Sequence, residues 1–387
     1  MRLTAAEQRL ASGGTRAERL SMQMLATLGE IYGADRLIPV ASAHISGVSY
    51  RTIGDSGVEF LEDFARDGRV AIPTTANPMV TELERARALG IPRSVVDKQR
   101  RVARAYARMG VRPSFSCTPY LIGNRPRRGE HVSWAESSAA IFANSVIGAR
   151  TNREGGPSAL AAAVTGRTAN YGLHVAKNRR ATVRVDVRAR IRGGAWSLLG
   201  LAVGREVGDG VPSLSHLASS EDDLKWFGAA MASVSEIGMY HIERTTPEWR
   251  GARVSGSRRV RVRSSDLKEV AREYTTSRRA DAIGIGSPQV SPAELRGIAR
   301  LLYRQHPRIP VLVFTSRIVR DSEPDAVRDI ERSGGTVFAD TCLEVTMLEH
   351  RFHTIATPSG KASVYLPSLC HQRVVLRDLE ELLRMFS

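Results

Sequence analysis

Cysteine is scarce in this chain, which has only Cys117, Cys342 and Cys370 among its 387 residues. Three thiols cannot all pair as disulfides, and a chain this long can bury a stable core without disulfide bonds. A disulfide framework is therefore a poor explanation for the three cysteines. No Cys-x-x-Cys pair is present. Three explanations remain open: thiols buried in the core, a zinc site, or an iron–sulfur cluster with three cysteine ligands and one open iron. An open iron acts as a Lewis acid.

Long apolar runs are also missing. No stretch approaches the roughly 18 to 20 apolar residues that a membrane span needs, and the N-terminus has no signal-peptide core. We therefore expect a cytoplasmic protein. Hydrophobic residues at 42% and charged residues at 25% are ordinary for a soluble globular chain, and the length suggests subdomains, which we place at 1–130, 131–263 and 264–387.

Lysine and aromatic residues are few, with five Lys against 51 Arg and 6% aromatics, while the net charge is +16. Because no nucleic-acid module is recognisable, this charge does not by itself indicate nucleic-acid binding. The one basic patch, residues 258–263, alternates so that Arg259, Arg261 and Arg263 share the solvated face of a predicted strand. Attraction to an anionic small substrate or to an acidic partner subunit accounts for the positive field at least as well.

Strands and helices alternate along the chain, which predicts an α/β fold with its polar loops at the carboxyl ends of strands. Residues 3–32 predict one helix. In the N-terminal third, buried strands are predicted at 36–40 and 70–72, each followed by a polar loop, at 42–50 and 73–79. His44 lies in the first loop, as a functional residue or one bonded to backbone, and helices are predicted at 57–67, 80–89 and 94–109.

The C-terminal third shows the alternation most clearly. Strands are predicted at 282–285, 311–314 and 336–339, and Ser291 with Glu294 forms a capping box at the start of a helix. A Ser-Gly-Lys turn at 359–361 lies between Cys342 and Cys370. It carries Lys361, which is either a functional residue or an exposed lysine in a turn.

Six short motifs spread over essentially the whole chain resemble the aconitase X family when taken together. They are Ser-Gly-Val-Ser (46–49), Pro-Thr-Thr-Ala-Asn (73–77), Ser-Cys-Thr-Pro-Tyr (116–120), Gly-Ala-Arg-Thr-Asn-Arg-Glu-Gly-Gly-Pro (148–157), Ala-Asp-Thr-Cys (339–342) and Ser-Gly-Lys (359–361). The resemblance implies an aconitase-like catalytic core of several subdomains with α/β/α layers and a site at the strand C-terminal ends. It also implies that Cys117, Cys342 and Cys370 hold an iron–sulfur cluster, of the [4Fe-4S] type with one open iron.

The family has two branches. One is a single-chain bacterial dehydratase of cis-3-hydroxy-L-proline, and the other is a two-chain archaeal enzyme that dehydrates (R)-mevalonate 5-phosphate to trans-anhydromevalonate 5-phosphate in a modified mevalonate pathway. Because the sequence ends at Ser387 without the swivelling domain of the single-chain form, it resembles the large subunit of the two-chain enzyme. The swivelling domain, with a serine as the base, is then expected on a separate small subunit.

The same resemblance assigns site residues. Lys361 would neutralise the substrate carboxylate or relay a proton. The pocket for the substrate would be formed by Gly47, Val48, Ser49, Asn77, Pro78, Glu136, Ser137 and Lys361. The alternatives of another class are an electron-transfer protein, for which four cysteine ligands would be expected, a zinc enzyme, which would normally add His or carboxylate ligands, and a nucleic-acid-binding protein.

Overall fold

The computed structural model describes residues 1–252 and 258–387, and the strands in that part of the chain form parallel sheets and one antiparallel pair. Helices lie between most successive strands, so the predicted α/β class is confirmed. Within the described residues, no helix combines the length and the apolar character that a membrane crossing requires.

The N-terminal part of the chain folds around a small parallel sheet. Its elements are α1 (Ala5–Gly13), α2 (Arg16–Ile31), β1 (Leu37–Pro39), β2 (Ala43–Ile45), α3 (Tyr50–Phe64), β3 (Thr74–Ala76), α4 (Arg93–Met109), β4 (Ser133–Trp134), α5 (Ser137–Phe142), α6 (Gly156–Thr165) and β5 (Arg167–Ala169). The strand order is β3, β2, β4, and Ala43 in the central strand pairs with Thr74 on one side and Ser133 on the other. β1 and β5 form the antiparallel pair.

The middle of the chain forms a second parallel sheet covered by two closely packed helices. Its elements are β6 (Val183–Arg188), α7 (Ala195–Val207), β7 (Pro212–Leu214), α8 (Glu221–Ser233), β8 (His241–Ile242), β9 (Arg258–Arg263) and α9 (Ser264–Glu273). The strand order is β8, β7, β6, β9, and the side chains of Arg259, Arg261 and Arg263 are exposed, as the alternation predicted. Buried Trp196 and Phe227 meet edge to face between α7 and α8.

The C-terminal part contains the largest parallel sheet among the described residues. Its elements are β10 (Ala282–Ile285), α10 (Pro292–Arg304), β11 (Val311–Thr315), α11 (Arg317–Ser322), α12 (Pro324–Arg332), β12 (Gly335–Ala339), β13 (Thr354–Thr357), α13 (Gly360–Cys370), β14 (Arg373–Leu376) and α14 (Leu379–Met385). The strand order is β12, β11, β10, β13, β14. The predicted capping box at α10 is confirmed, because Ser291 caps the helix and its side chain accepts the backbone N–H of Glu294.

Polar residues follow the carboxyl ends of strands in two of these sheets. Asn77 comes directly after β3, and Glu136 lies two residues after β4. In the C-terminal sheet, Ser287 follows β10, Cys342 follows β12, and Ser359 follows β13. Since the carboxyl ends of parallel strands meet at one edge of a sheet, this arrangement gathers chemically useful side chains from distant parts of the sequence.

Two predicted strand and loop positions are wrong. The predicted loop 42–50 contains β2, whose three residues are all buried. The predicted strand 70–72 is irregular, whereas β3 is formed by Thr74, Thr75 and Ala76, which had been assigned to a polar loop. Threonine is polar but β-branched, so it fits a strand, and here its hydroxyls find partners inside the protein.

Two helix predictions also need correction. Residues 3–32 form two helices because Thr15 caps α2 in a capping box with Glu18, and Gly14 before it is extended. Residues 80–89 form successive turns instead of a helix. There the carboxylate of Glu82 accepts the backbone N–H of Ala339 in β12 and pairs with Arg320, so tertiary contacts hold the segment in another shape.

Candidate active site

Lys361 is the centre of the candidate site, and it lies in the first turn of α13. The predicted Ser-Gly-Lys turn is a helix start, because the Ser359 hydroxyl caps α13 by accepting the N–H of Ala362 at 2.9 Å. The N–H of Gly360 donates to Ser197 in α7 at 2.7 Å. The side chain of Lys361 is only 5% exposed, so the alternative of an exposed lysine in a turn is excluded.

The Lys361 ammonium lies between the buried carboxylate of Glu344 and the carboxylate of Glu136, which is 12% exposed. Its Nζ is 2.7 Å from Oε1 of Glu136 and 3.5 Å from Oε2 of Glu344. Burial by itself would lower the pKa of Lys361, but the charges of Glu136 and Glu344 and the neighbouring thiols raise that pKa well above its ordinary value. Lys361 is therefore a cation held inside the protein.

Glu136 is held by several donors at once. It is the N-cap residue of α5, and its carboxylate accepts the hydroxyl of Ser138 at 2.9 Å and the Nδ2 group of Asn77 at 2.7 Å. Burial raises the pKa of Glu136, yet the charge and hydrogen bond of Lys361, with the bonds from Asn77 and Ser138, lower it overall to about 2. Glu136 is ionised at every pH at which the protein would be assayed.

Behind Asn77 lies a buried chain of polar side chains. Oδ1 of Asn77 is 2.8 Å from Nε2 of His44, and Nδ1 of His44 is 2.8 Å from the Thr75 hydroxyl. Nδ2 of Asn124 lies 2.9 Å from the same hydroxyl oxygen. His44 is fully buried, which lowers its pKa to about 4, so the imidazole is neutral. Of the two roles considered for His44, backbone bonding is excluded, because both ring nitrogens meet side chains.

Glu344 is a site residue that the sequence prediction missed. It is buried beside Lys361 and accepts the hydroxyl of Ser287. Burial raises the pKa of Glu344, and the nearby cation of Lys361 opposes that rise without cancelling it. The one hint in the sequence is its place two residues after Cys342. That hint does not distinguish a buried carboxylate from one on the surface.

Two of the three cysteines meet at this site. The side chains of Cys117 and Cys342 lie beside each other, the thiol of Cys342 donates to the carbonyl of Gly286 at 3.5 Å, and the backbone N–H of Gln289 donates to Sγ of Cys117 at 3.2 Å. The contact with Cys342 lowers the pKa of Cys117, and the charge of Lys361 lowers it further. Cys117 is thus the thiol in the described residues whose surroundings favour a thiolate, the form that binds metals.

Cys370 lies farther along the same helix. It is at the end of α13, nine residues beyond Lys361, which places it about 13 Å along the helix axis from the lysine. Its thiol donates to the backbone carbonyl of Glu344 at 3.3 Å, and burial raises its pKa to about 12. Across the described ranges, no three His, Cys, Asp or Glu side chains converge as ligands of a single metal ion.

The donor chemistry nevertheless fits an iron–sulfur cluster. All three thiols are buried and unpaired, and each ligand of a cluster binds a different iron, so the sulfurs need not meet at one point. The neighbouring Glu344 connects the two positions, because it follows Cys342 closely and its carbonyl accepts the thiol of Cys370. The residues therefore suit a cluster at this place better than a mononuclear zinc ion.

The predicted substrate loop 47–49 lies next to the same segment. Val48 and Ser49 are buried, and the Ser49 hydroxyl donates to the carbonyl of Val345 at 3.4 Å. Arg51 continues this contact by pairing with Glu349 at 2.7 Å. Gly47 is half-buried with a φ of 75°. The loop is therefore joined through Ser49 to the chain just beyond Cys342, while the carbonyls of Gly47 and Val48 accept from Tyr106 and Gln99 of α4.

The two remaining predicted pocket residues flank Asn77 and Glu136. Pro78 is buried directly after Asn77, and Ser137 is half-buried at the start of α5. The structure thus brings Asn77, Glu136 and Lys361 into one hydrogen-bonded group, with Pro78 and Ser137 adjacent in sequence. Their individual roles toward a substrate stay predictions.

A buried lysine between two carboxylates, next to two thiols and at the carboxyl ends of parallel strands, defines an α/β enzyme with an enclosed polar reaction centre. Three family models match almost the whole chain: Aconitase X first domain over residues 1–177, second domain over 181–272 and third domain over 280–386. The chain belongs to the aconitase X family. The subdomain limits expected from the sequence remain a prediction.

Curated relatives agree with this assignment. The chain is 43% identical to the phosphomevalonate dehydratase large subunit of Methanothermobacter thermautotrophicus, with 94% of this chain and 93% of the relative covered. It is 42% identical to the protein of the same name from Methanocaldococcus jannaschii, covering 99% and 100%. It is 33% identical to the cis-3-hydroxy-L-proline dehydratase of Pseudomonas aeruginosa, covering 96% of this chain and 68% of that enzyme. The enzyme class that these relatives share is hydro-lyase.

A solved structure supports the same conclusion. The crystal structure of Thermococcus kodakaraensis aconitase X in its holo-form matches with a TM-score of 0.94 at 41% sequence identity, and all of both chains is covered. The expectation of an aconitase-like core is therefore confirmed.

Proposed function

We propose that this chain is the large subunit of a phosphomevalonate dehydratase, which converts (R)-mevalonate 5-phosphate to trans-anhydromevalonate 5-phosphate and water in a modified mevalonate pathway. The observation that carries the proposal is the buried Lys361 cation held by Glu136 and Glu344 beside Cys117 and Cys342. Four relatives of that name, at 40% to 43% identity over nearly their whole length, support the choice of substrate.

The reaction sets two demands. The C–H bond on the carbon beside the carboxylate breaks, its electron pair forms the double bond, and the hydroxyl on the next carbon leaves and becomes water with one proton. Negative charge builds up on the carboxylate as the C–H bond breaks, and hydroxide is a poor leaving group. A site for this reaction therefore needs a fixed cation at the carboxylate and an electrophile at the hydroxyl.

Lys361 meets the first demand. A protonated amine has three N–H donors, and those of Lys361 face Glu136 at 2.7 Å and Glu344 at 3.5 Å, which leaves one donor for the substrate carboxylate. Because the side chain is buried, its charge acts on the developing negative charge more strongly than it would in water. We assign the catalytic role to Lys361 on this ground, with Asn77, Glu136 and the 47–49 loop orienting the substrate.

We assign Cys117, Cys342 and Cys370 as ligands of an iron–sulfur cluster of the [4Fe-4S] type. All three are buried free thiols. When bound, the cluster supplies a Lewis-acidic iron that makes the hydroxyl a better leaving group. Two groups of the chain around Cys117, the N–H of Gln289 and the ammonium of Lys361, stabilise negative charge on its sulfur.

We further propose that the base comes from a small subunit with a swivelling domain that carries a serine. The relatives are named large subunits, which implies a partner. Within this chain, the amine of Lys361 holds its proton between two carboxylates, so it is a poor acceptor for a carbon-bound proton. The net charge of +16 favours an acidic partner. Closing a separate body over the site would also exclude water.

The catalytic assignment is tested by Lys361→Met with Lys225→Met as its matched control. Both lysines are buried and pair with two carboxylates, but Lys225 pairs with Asp222 and Glu294 and reaches Cys117 only through the backbone of Gln289, whose carbonyl it contacts. In the anaerobically reconstituted two-subunit enzyme, we expect Lys361→Met to lower kcat by about 100- to 1,000-fold. Lys225→Met should lose stability and keep kcat per folded molecule. Equal kcat for Lys361→Met and the wild type would contradict the assignment.

The substrate is tested by supplying (R)-mevalonate 5-phosphate and cis-3-hydroxy-L-proline to the same wild-type preparation. Alkene formation followed by NMR should occur only with the phosphorylated carboxylate. Comparable turnover of hydroxyproline would favour the second branch of the family instead.

The partner is tested by assaying the cluster-loaded large chain alone and then adding the small subunit. Activity should be absent at first and saturate near one small subunit per chain. Full dehydration by the large chain alone would overturn the two-subunit mechanism.

A further inference from the structure

His44 is a polar residue at the centre of the candidate site's supporting structure, yet it does not face the thiols or Lys361 through any hydrogen bond of its own. It lies in the central strand β2 and is fully buried, with its ring edge-on to Trp134 at 6.2 Å between centroids. Both ring nitrogens have hydrogen-bond partners at 2.8 Å. A neutral imidazole carries one proton, so one nitrogen must donate and the other must accept.

The contact between Glu136 and Asn77, at one end of this series of hydrogen bonds, determines which ring nitrogen of His44 donates. Glu136 is an ionised carboxylate paired with Lys361, so it can only accept, and the group of Asn77 that faces it at 2.7 Å must be the NH2 group. Oδ1 of Asn77 then points at Nε2 of His44. A carbonyl oxygen needs a donor, and Nε2 must therefore carry the proton.

The buried end leads to the same answer independently. Nδ2 of Asn124 has two hydrogens, which reach the carbonyl of Ala43 at 3.1 Å and the hydroxyl oxygen of Thr75 at 2.9 Å. Because Thr75 accepts there, its own hydrogen is free to point at Nδ1 of His44, 2.8 Å away. A hydroxyl oxygen could accept a second hydrogen bond, but Nδ1 is the acceptor that the described residues place within reach of the Thr75 hydrogen, so Nδ1 accepts and the proton is again on Nε2.

We propose that His44, fixed by Thr75 and Asn124 with its proton on Nε2, is a positioning residue that sets the orientation of the Asn77 carboxamide toward Glu136 and the substrate. Asn77 is the half-buried member of the series, where the buried network reaches the site. With Oδ1 engaged by His44 and one N–H by Glu136, Asn77 keeps a second N–H without a partner among the described residues, and we assign this donor to the substrate. The site therefore offers donors from both Asn77 and Lys361, which suits the carboxylate and hydroxyl oxygens of the substrate.

This inference rests on the proposed function only for the identity of the substrate. The opposite orientation of Asn77 would place a carbonyl oxygen 2.7 Å from the Glu136 carboxylate and would present an acceptor to an anionic substrate. Both contacts are repulsive. The tautomer of a residue that never touches the substrate thus decides whether the pocket attracts or repels a carboxylate.

The first test reads the tautomer without any turnover. The nitrogen chemical shifts of histidine distinguish a protonated ring nitrogen from an unprotonated one. In a chain labelled with ¹⁵N-histidine, the signal of His44 is identified as the one that is missing from His44→Gln. We expect a neutral ring with its proton on Nε2. A proton on Nδ1 in the folded wild-type chain would overturn the proposal.

The second test breaks the network at its buried end. Thr75→Val keeps the shape and removes the hydroxyl, whereas Thr75→Ser keeps the hydroxyl, and this buried residue is not one of those assigned to the substrate pocket. In the reconstituted enzyme with (R)-mevalonate 5-phosphate, Thr75→Val should lower kcat/KM by about 10- to 100-fold, and Thr75→Ser should restore most of it. Thr165→Val is the matched control, since this buried threonine donates to the Ala161 carbonyl in α6. It should leave kcat/KM unchanged.

The outcomes separate the two proposals. Folded Thr75→Val with wild-type kcat/KM would overturn the role of His44 while leaving the proposed function intact. Absence of turnover by the wild type would contradict the proposed function. The tautomer of His44 would still show which way the Asn77 carboxamide is oriented. If Thr75→Val fails to fold, the ¹⁵N spectrum of the wild type and the activity of Thr75→Ser test the proposed role of His44 instead.

Discussion

Cys370 is the predicted cluster ligand at the C-terminal end of α13, nine residues beyond Lys361. If it is a ligand, Cys370→Ser should lose iron and acid-labile sulfide to the same extent as Cys117→Ser, because removing either thiolate frees one iron of the cluster. Iron and sulfide per chain, measured after anaerobic reconstitution, check this prediction. Full cluster content in Cys370→Ser, with loss in Cys117→Ser, would show that Cys370 is a core cysteine.

The candidate site could be predicted in part at the level of single residues. Lys361, Glu136 and Asn77 were selected through the resemblance to a family, and the structure places them in one hydrogen-bonded group. Glu344 was not found, because a carboxylate acquires its significance only when the fold buries it beside a lysine. The partners of His44 could not be deduced either, since Thr75 lies 31 residues away in the sequence and is joined to Asn124 over 49 residues.

Helices α7 and α8 approach each other so closely that one glycine between them has no room for a side chain. A Cβ on Gly200 would lie 2.3 Å from the backbone oxygen of Phe227, which cannot move without shifting α8. Gly200→Ala should lower the free energy of unfolding by about 1–3 kcal/mol. It should also reduce activity, because α13 is tied to α7 through Ser197 and Gly360.

Gly297→Ala in α10 is the matched control for this prediction. The nearest atom to its added Cβ is in the Arg300 side chain at 4.0 Å, so the change should raise the free energy of unfolding by about 0.5–1 kcal/mol through helix propensity. Urea denaturation of both variants gives the measurement. A loss of stability in both, of similar size, would refute the close-packing argument.

Elements with local signals were predicted well, and elements shaped by distant contacts were not. The sequence at the start of α10 contains a capping box, and strands such as β11 are continuous buried apolar runs. β3 was assigned to a loop because two of its three residues are threonines, whose hydroxyls look exposed until the fold supplies partners. Residues 80–89 have a helical pattern, but Glu82 is bound to β12 over 257 residues of sequence.

The whole molecule should lose stability in acid partly through histidines that it buries in neutral form. His174 is 2% exposed, lies beside Arg150 and Arg179, and has its pKa lowered by burial from 6.5 to about 3. Because the unfolded chain takes up a proton below pH 6.5 and the folded chain does not until about pH 3, stability falls as pH falls through this window. The contribution at pH 4 is on the order of 3 kcal/mol.

His174→Asn isolates this contribution, because the asparagine amide can replace Nδ1 in the contact with His131, 2.9 Å away, without a group that titrates. Chemical denaturation at pH 7 and pH 4 should show a smaller loss of stability for this variant than for the wild type. The exposed His306 is the control, and His306→Asn should lose as much as the wild type. Parallel pH profiles for wild type and His174→Asn would contradict the prediction.

The pairing of Lys361 with Glu136 also has a consequence for the newly synthesised chain. The hydrogen-bond network from Asn124 to Glu136 lies entirely in the part of the chain that leaves the ribosome early, whereas the lysine comes 225 residues after Glu136. At ~5–20 residues per second, that interval is about 10 to 45 s. A buried carboxylate without its cation is strongly unfavourable, so during this time Glu136 must take up a proton or stay in water. The arrival of α13 is then the event that converts a sheet edge into an ionised site.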